Sequence, residues 1–146
     1  MKKICIAGSR HLTNTKQISE ILFKHLWGKE KETIIINGGC PQGVDYIAAS
    51  LARQKHMLIQ FFDADWDEHG KAAGPIRNKE MAEVADELIL IWDGRSLGSA
   101  SMKNEALAKK LPIYEYVFDV FDSTPDRYKK TEYNVSKEDE NQLSMF

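Results

Sequence analysis

Across residues 1 to 118, short apolar runs alternate with longer stretches in which apolar positions recur every three or four residues. Lys3–Ala7 (KICIA), Thr33–Ile36 (TIII), Met57–Phe62 (MLIQFF), Glu87–Trp92 (ELILIW) and Pro112–Val117 (PIYEYV) read as strands covered on both faces, because their apolar positions run on rather than alternate. Between them lie helical patterns. Ile18, Ile21, Leu22 and Leu26 share one face, as do Ile47, Ala48, Leu51 and Ala52; Met81, Val84 and Ala85 mark a third helix, and Ala106, Leu107 and Lys110 a fourth. Strict strand–helix alternation predicts parallel neighbours, since a parallel pair needs a crossover and a helix supplies one. The pattern therefore predicts an α/β chain with a Rossmann-like three-layer fold around a mostly parallel five-stranded sheet. Near Phe118 the rhythm stops. Residues 119–146 show no apolar periodicity until their last few positions, which predicts a domain over 1–118 and a polar, disordered tail over 119–146.

Composition narrows the reading. With 146 residues, 42% of them hydrophobic, the chain can close one core of ordinary size. Twenty basic residues against 22 acidic ones give a net charge of -2; the tail's seven acids and four bases account for -3 of it, so residues 1–118 carry about +1. No global charge draws the chain to nucleic acid or to a membrane. Cys5 and Cys40 stand apart, with no CxxC and no Cys/His cluster, so neither a metal site nor a disulfide scaffold is expected. The basic start of MKKICIAGSR leads into too short an apolar run for a signal peptide, and no segment reaches membrane-spanning length, which points to the cytoplasm.

In an open parallel sheet ligands sit beyond the carboxyl ends of the strands. Those positions carry Gly8-Ser9-Arg10 after the first strand, Asn37-Gly38-Gly39 leading to Gly43-Val44-Asp45 after the second, and Asp93-Gly94-Arg95-Ser96-Leu97-Gly98-Ser99 after the fourth. Glycines permit close backbone approach, and amides opening a helix favour an anion, so three such turns on one rim predict a site for a phosphorylated ligand. Neither GxGxxG nor GxxxxGK[ST] occurs, which disfavours a dinucleotide at the first turn and Walker-type hydrolysis. Arg77, two residues after Pro75, is placed in the first turn of the third helix, either reaching a phosphate or pairing with Glu80 or Glu83. Asp45 reads equally as a base or ribose ligand and as a dipole partner for its helix.

The stretch Asp63–Pro75 reads as a long loop, functional or mobile, with Trp66 either stacking on a purine or, the favoured reading, anchoring the loop against the sheet. Asp63, Asp65 and Asp67 are read as solvated acids, and no metal is expected. The four histidines lack ligand spacing, and Cys40 reads as a small buried side chain rather than a nucleophile.

GSR, GGCPQGVD, DADWDEHGKAAGPIRNKEM and WDGRSLGS, in that order, resemble the SLOG superfamily and its YspA-like branch over residues 4 to 115. The resemblance implies a Rossmann-like domain binding a nucleotide or nucleotide-derived ligand as a sensor or sequestering module, with no further cofactor; self-association among relatives implies a homodimer. By matched position it assigns ligand contacts to Gly8, Ser9, Arg10, Gly38, Gly39, Gly43, Asp45, Arg77, Asn78, Gly94, Ser96, Gly98 and Ser99. Two alternatives follow from relatives. A phosphoribohydrolase would draw its catalytic groups from Arg77, Asp45 and Glu105, although the acid of the hydrolases' GGxGTxxE loop is replaced by Met102. DNA binding of the DprA kind would need Arg10, Lys71, Arg77, Lys79, Arg95 and Lys103 on one face.

The chain ends Gln142-Leu143-Ser144-Met145-Phe146, which resembles the bacterial sliding-clamp-binding pentapeptide with Met145 in place of leucine. A short apolar peptide on a polar tether suits groove binding, so the replication clamp is an expected partner.

Overall fold

The computed structural model describes residues 1–119 and 127–136. The clamp-like residues Gln142 to Phe146 lie outside them. Five parallel strands form where the apolar runs predict: β1 (Lys2–Gly8), β2 (Thr33–Asn37), β3 (Leu58–Phe61), β4 (Glu87–Trp92) and β5 (Ile113–Phe118). The long helices are α1 (Thr15–Leu26), α2 (Gly43–Gln54), α4 (Ala73–Val84) and α5 (Leu97–Ala108).

Alternate residues of the strands feed two cores. Ile4, Ile6, Ile35, Ile89, Ile91, Tyr114 and Tyr116 pack on α1 and α2, while Cys5, Ala7, Ile36, Leu88, Leu90, Trp92 and Ile113 pack on α4 and α5. Covering both faces explains why the strands read as unbroken apolar runs. With a sixth strand, β6 (Tyr128–Tyr133), the strand order is β3-β2-β1-β4-β5-β6, so the chain winds outward from β1 in one direction and, after crossing back, outward from β4 in the other. A cleft opens between β1 and β4 where the winding reverses.

Two expectations are corrected. The sheet has six strands, because β6 (Tyr128–Tyr133) pairs antiparallel with β5 inside the stretch assigned to a disordered tail. Its sequence YKKTEY carries no apolar run, and neighbours hold it instead: Tyr128 packs edge-on to Tyr116, Lys130 lies over Tyr114 and Tyr116, and the Tyr133 hydroxyl donates to Glu115 at 3.1 Å. Nor is Asp63–Pro75 one loop. It contains the short helix α3 (Trp66–His69), capped by the Asp65 carboxylate accepting from the Glu68 N–H at 3.1 Å, then a single 3-10 turn (Gly70–Ala72) and the start of α4. Pro75 falls within the first turn of α4, where a missing N–H costs nothing. Arg77 consequently lies in the second turn of α4, not the first.

Candidate functional site

The cleft at the switch point has a volume of about 380 Å³, within the range of small-molecule sites. It is walled by the end of β1, the turn after β2, the first turns of α2 and α5, and one face of α4. Of the predicted ligand residues, Gly8, Ser9, Arg10, Gly38, Asp45, Arg77, Asn78, Ser96, Gly98 and Ser99 line it. Gly39, Gly43 and Gly94 do not. Gly43 serves the architecture: its φ is +69°, and a Cβ there would lie 2.4 Å from the Ser9 carbonyl oxygen, so only glycine lets α2 start against the β1 turn.

Arg77 is the cation aimed into the cleft from α4. Its Nη1 donates to the Gly38 carbonyl at 3.0 Å and its Nε to Asn78 Oδ1 at 3.0 Å, and it makes no ion pair with Glu80, Glu83 or any other described acid. Two neutral acceptors fix the guanidinium while leaving its charge uncompensated by contact. Gly38 also sits between the two charged groups, since a Cβ there would lie 3.0 Å from both Arg77 Nη1 and Asp45 Oδ2.

Asn78 lines the cleft and is bonded on both sides. Its Nδ2 donates to the Gly98 carbonyl at 3.2 Å and to Ser101 Oγ at 3.3 Å, while its Oδ1 accepts from Arg77, so it ties the first turn of α5 to the arginine. Ser9 and Ser96 are similarly engaged. The Asp93 N–H donates to Ser9 Oγ at 3.2 Å, Ser9 and Ser96 share a 2.9 Å hydrogen bond, and Ser96 Oγ donates to Asp93 Oδ1 at 2.9 Å. Burial works to raise the Asp93 carboxyl, but the N–H groups of Arg95 and Ser96 and these hydroxyls together hold it below the ordinary carboxylate range. This closed ring fixes the turn ahead of α5. The N-cap Ser96 spends its side chain there rather than on its own helix, so the opening amides of α5 carry no side-chain cap beside the cleft.

Asp45 is the one carboxylate among the described residues that line the cleft. Burial pushes its pKa up to about 6, against the opposing pull of the Cys40 N–H, which donates to Oδ2 at 3.1 Å, and of Arg77. The loop that presents it is braced by Asn37, whose Nδ2 donates to the Asp45 carbonyl at 3.0 Å and whose Oδ1 accepts from the Gly39 N–H at 2.7 Å.

The catalytic candidate Glu105 does not line the cleft. Met102, one turn earlier on α5, lies on its floor with Met81, so the place where an acid was sought is apolar. Cys40 and His11 also line the cleft, as do Ala7 and Leu97. Leu97 is signalled by its place inside the turn motif, whereas Met81 reads from sequence only as core. Trp66 stays out of the cleft; it is exposed, and its ring approaches Gly74 at the start of α4.

Of the six basic positions, Arg10 and Arg77 come together at the cleft. Lys103 pairs with buried Glu115 at 2.9 Å and Arg95 with Asp119 at 3.8 Å, and neither lines the cleft. Beside it, Asp63, Asp65, Glu68, His69 and Glu80 border a smaller recess of about 220 Å³ that shares Arg77. Among the described residues no group of three or more His, Cys, Asp or Glu side chains is arranged to hold a metal ion. Nor is any described helix long and apolar enough to cross a membrane.

No family model matches the chain. DNA processing protein A (DprA) from Streptococcus pneumoniae superposes with a TM-score of 0.67 at 18% identity, covering 99% of this chain and 56% of DprA. The chain thus spans little more than half of that protein, and the likeness establishes a DprA-like Rossmann fold. A relative at the level of sequence is the gene 61 protein of Mycobacterium phage D29, 30% identical over 122 residues, which are 80% of this chain and 97% of the relative. With near-complete coverage of that relative, the chain belongs to the family of the gene 61 protein of Mycobacterium phage D29.

Proposed function

We propose that the cleft binds a nucleotide or nucleotide-derived phosphoester and releases it unchanged, in the manner of a sensing or sequestering module of the YspA-like kind. The observation that carries this reading is the opposition of Arg77 to the uncapped first turn of α5, with Asn78 bonded to both. A guanidinium facing a helix N-terminus across a small cleft favours a phosphate between them. Asp45, half-buried on the α2 side of the same cleft, suits a hydroxyl or amino donor of the ligand, as a ribose or base offers.

The absence of an acid at Met102 favours binding over glycosidic cleavage, for which general acid assistance is needed. The test incubates the protein with nucleoside monophosphates, ADP-ribose, NAD and cyclic nucleotides, following melting temperature and product together. Stabilisation by a ligand recovered intact supports the reading; release of free base overturns it and makes Asp45 the acid to mutate. DprA is by name a DNA processing protein, and a DNA partner for this chain would show itself as binding that weakens steeply with salt. The pairing of Lys103 and Arg95 with carboxylates, away from the cleft, favours the small ligand.

The clamp reading rests on the QLSMF sequence alone. It adds a tether to the replication clamp without altering the cleft.

A further inference from the structure

We propose that the apolar groove between α1 and α2 is the docking site for this chain's own Leu143-Ser144-Met145-Phe146, which reach it from the end of β6 by crossing α1. The proposal is independent of the cleft and of its ligand.

The groove has a volume of about 320 Å³ and is lined by Ser19, Glu20, Phe23 and Lys24 of α1 and by Leu51 of α2. The polar residues among them turn mainly carbon towards it, so its surface is almost wholly apolar. Phe23 and Trp27, 37% and 54% exposed with ring centroids 4.9 Å apart, continue it along α1. A contiguous apolar strip facing water marks a place where another apolar segment binds. At the helical rise, Ser19 to Trp27 covers about 12 Å. Leu143 to Phe146, drawn out as a strand, span about 10 Å and offer three apolar side chains in four residues.

The course of the backbone leads there. Tyr133, the last residue of β6, pairs with Ile113, the first of β5, so β6 ends where the parallel strands begin. α1 returns the chain from the end of β1 to the start of β2, which puts its C-terminal turn at that same end. Val135 packs against the core beneath α1 and α2, so the chain has already turned onto their face of the sheet. Only α1 then separates it from the groove: His25 sits against Tyr114 and Tyr116 of β5 on one flank of the helix, and Ser19 and Phe23 face Leu51 on the other. Extended, Ser136 to Leu143 reach about 23–25 Å, enough to cross a helix about 10–12 Å wide.

Charge favours the same path. Glu138-Asp139-Glu140 precede the apolar residues and would cross α1 near its C-terminal turn. There Lys24 lines the groove and Lys55 lies over the Phe23 ring at 5.3 Å. Glu20 lines the groove one turn nearer the start of α1, and beyond Trp27 the charges alternate as Lys29-Glu30-Lys31-Glu32. Acids crossing beside Lys24 meet cations, and the apolar residues after them run on towards Ser19.

The test uses the 146-residue chain with the photoreactive p-benzoylphenylalanine in place of Phe146, and mass spectrometry of the irradiated monomer. The adduct should form within one chain, on the peptides holding Phe23 and Leu51. Phe23→Glu, which sets a carboxylate in the apolar groove, should lower its yield at least about fivefold. Phe23 is exposed on the helix surface, so this variant should melt like the wild type. Lys24→Glu with Lys55→Glu should also lower the yield, and adding Glu138→Lys, Asp139→Lys and Glu140→Lys to that chain should restore it. No adduct on the groove, or adducts only between chains, overturns the proposal. So does a groove adduct indifferent to Phe23→Glu, or one that the charge reversal fails to restore.

Discussion

Arg77 is held by neutral acceptors on two sides, and this makes its charge available to a ligand. Removing it should cost the ligand and spare the fold, since the Gly38 carbonyl it leaves behind stands beside an open cleft that water can enter. For Arg77→Ala the ligand-induced rise in melting temperature should vanish while the unliganded melt stays within a few degrees. Arg77→Lys should recover little, because a point charge lacks the planar fork that reaches Gly38, Asn78 and a phosphate together. Asp45 behaves oppositely. Its folded pKa of about 6 lies above the ordinary 3.8, so between those values the folded chain holds a proton that the unfolded chain has released. Stability from this group therefore falls as pH rises from about 4 to 6 and stays reduced above it. Asp45→Asn, which keeps an acceptor for the Cys40 N–H, should stabilise the protein at pH 7 by about 1–3 kcal/mol, lose that advantage below pH 4, and weaken ligand binding. Urea melts at pH 4 and pH 7 check the first two outcomes, and ligand titration the third.

At the scale of elements, β6 shows how a strand without apolar character is held. Glu115 is buried on β5 and accepts from Trp92 Nε1 at 2.9 Å and from the Tyr133 hydroxyl at 3.1 Å, while Lys103 of α5 pairs with it at 2.9 Å. One carboxylate thus joins β4, β5, β6 and α5. Glu115→Ala would strand Lys103 and the Trp92 N–H, at a cost of about 3–5 kcal/mol in denaturant unfolding. Amide exchange across Tyr128–Tyr133 should accelerate more than in β1 or β4, because the edge strand depends on that contact most. His25 is the corresponding polar device on the other face. Its Nε2 lies 2.6 Å from the Tyr116 hydroxyl, and burial, aided by nearby lysines, lowers its pKa to about 3, so it stays neutral throughout the physiological range.

In the whole molecule, reversal of winding between β1 and β4 places the cleft, and the two outer strands differ in kind. β6 closes one side with charged and aromatic side chains, while β3 leaves an uncharged edge on the other. The tail belongs to this scale too, since a clamp-docked chain would carry its cleft to the replication machinery. Deleting Gln142 to Phe146 should abolish capture by purified sliding clamp without changing ligand affinity; equal capture by the deleted form would dismiss the motif.

The apolar runs and the glycine-bearing turns are local signals, and they sufficed for five strands, four long helices and eight of the cleft-lining residues, from Gly8 to Ser99; Arg77 came from its place after Pro75, and Asn78 from the family resemblance alone. Parallel order followed because helices between buried strands leave few other solutions. Other features depended on groups distant in sequence. β6 exists through Glu115, Tyr116 and the strand beside it, not through YKKTEY alone. Nothing local signals that Asn78 bonds to Gly98, twenty positions away, or that Ser9 bonds to Ser96 and Asp93. Glu105 and Met102 differ by three residues, nearly a full helical turn, and only the seating of α5 on the sheet decides that methionine, not glutamate, lines the cleft. Periodicity tells which face of an element is buried; what each polar group bonds to is settled when the elements meet.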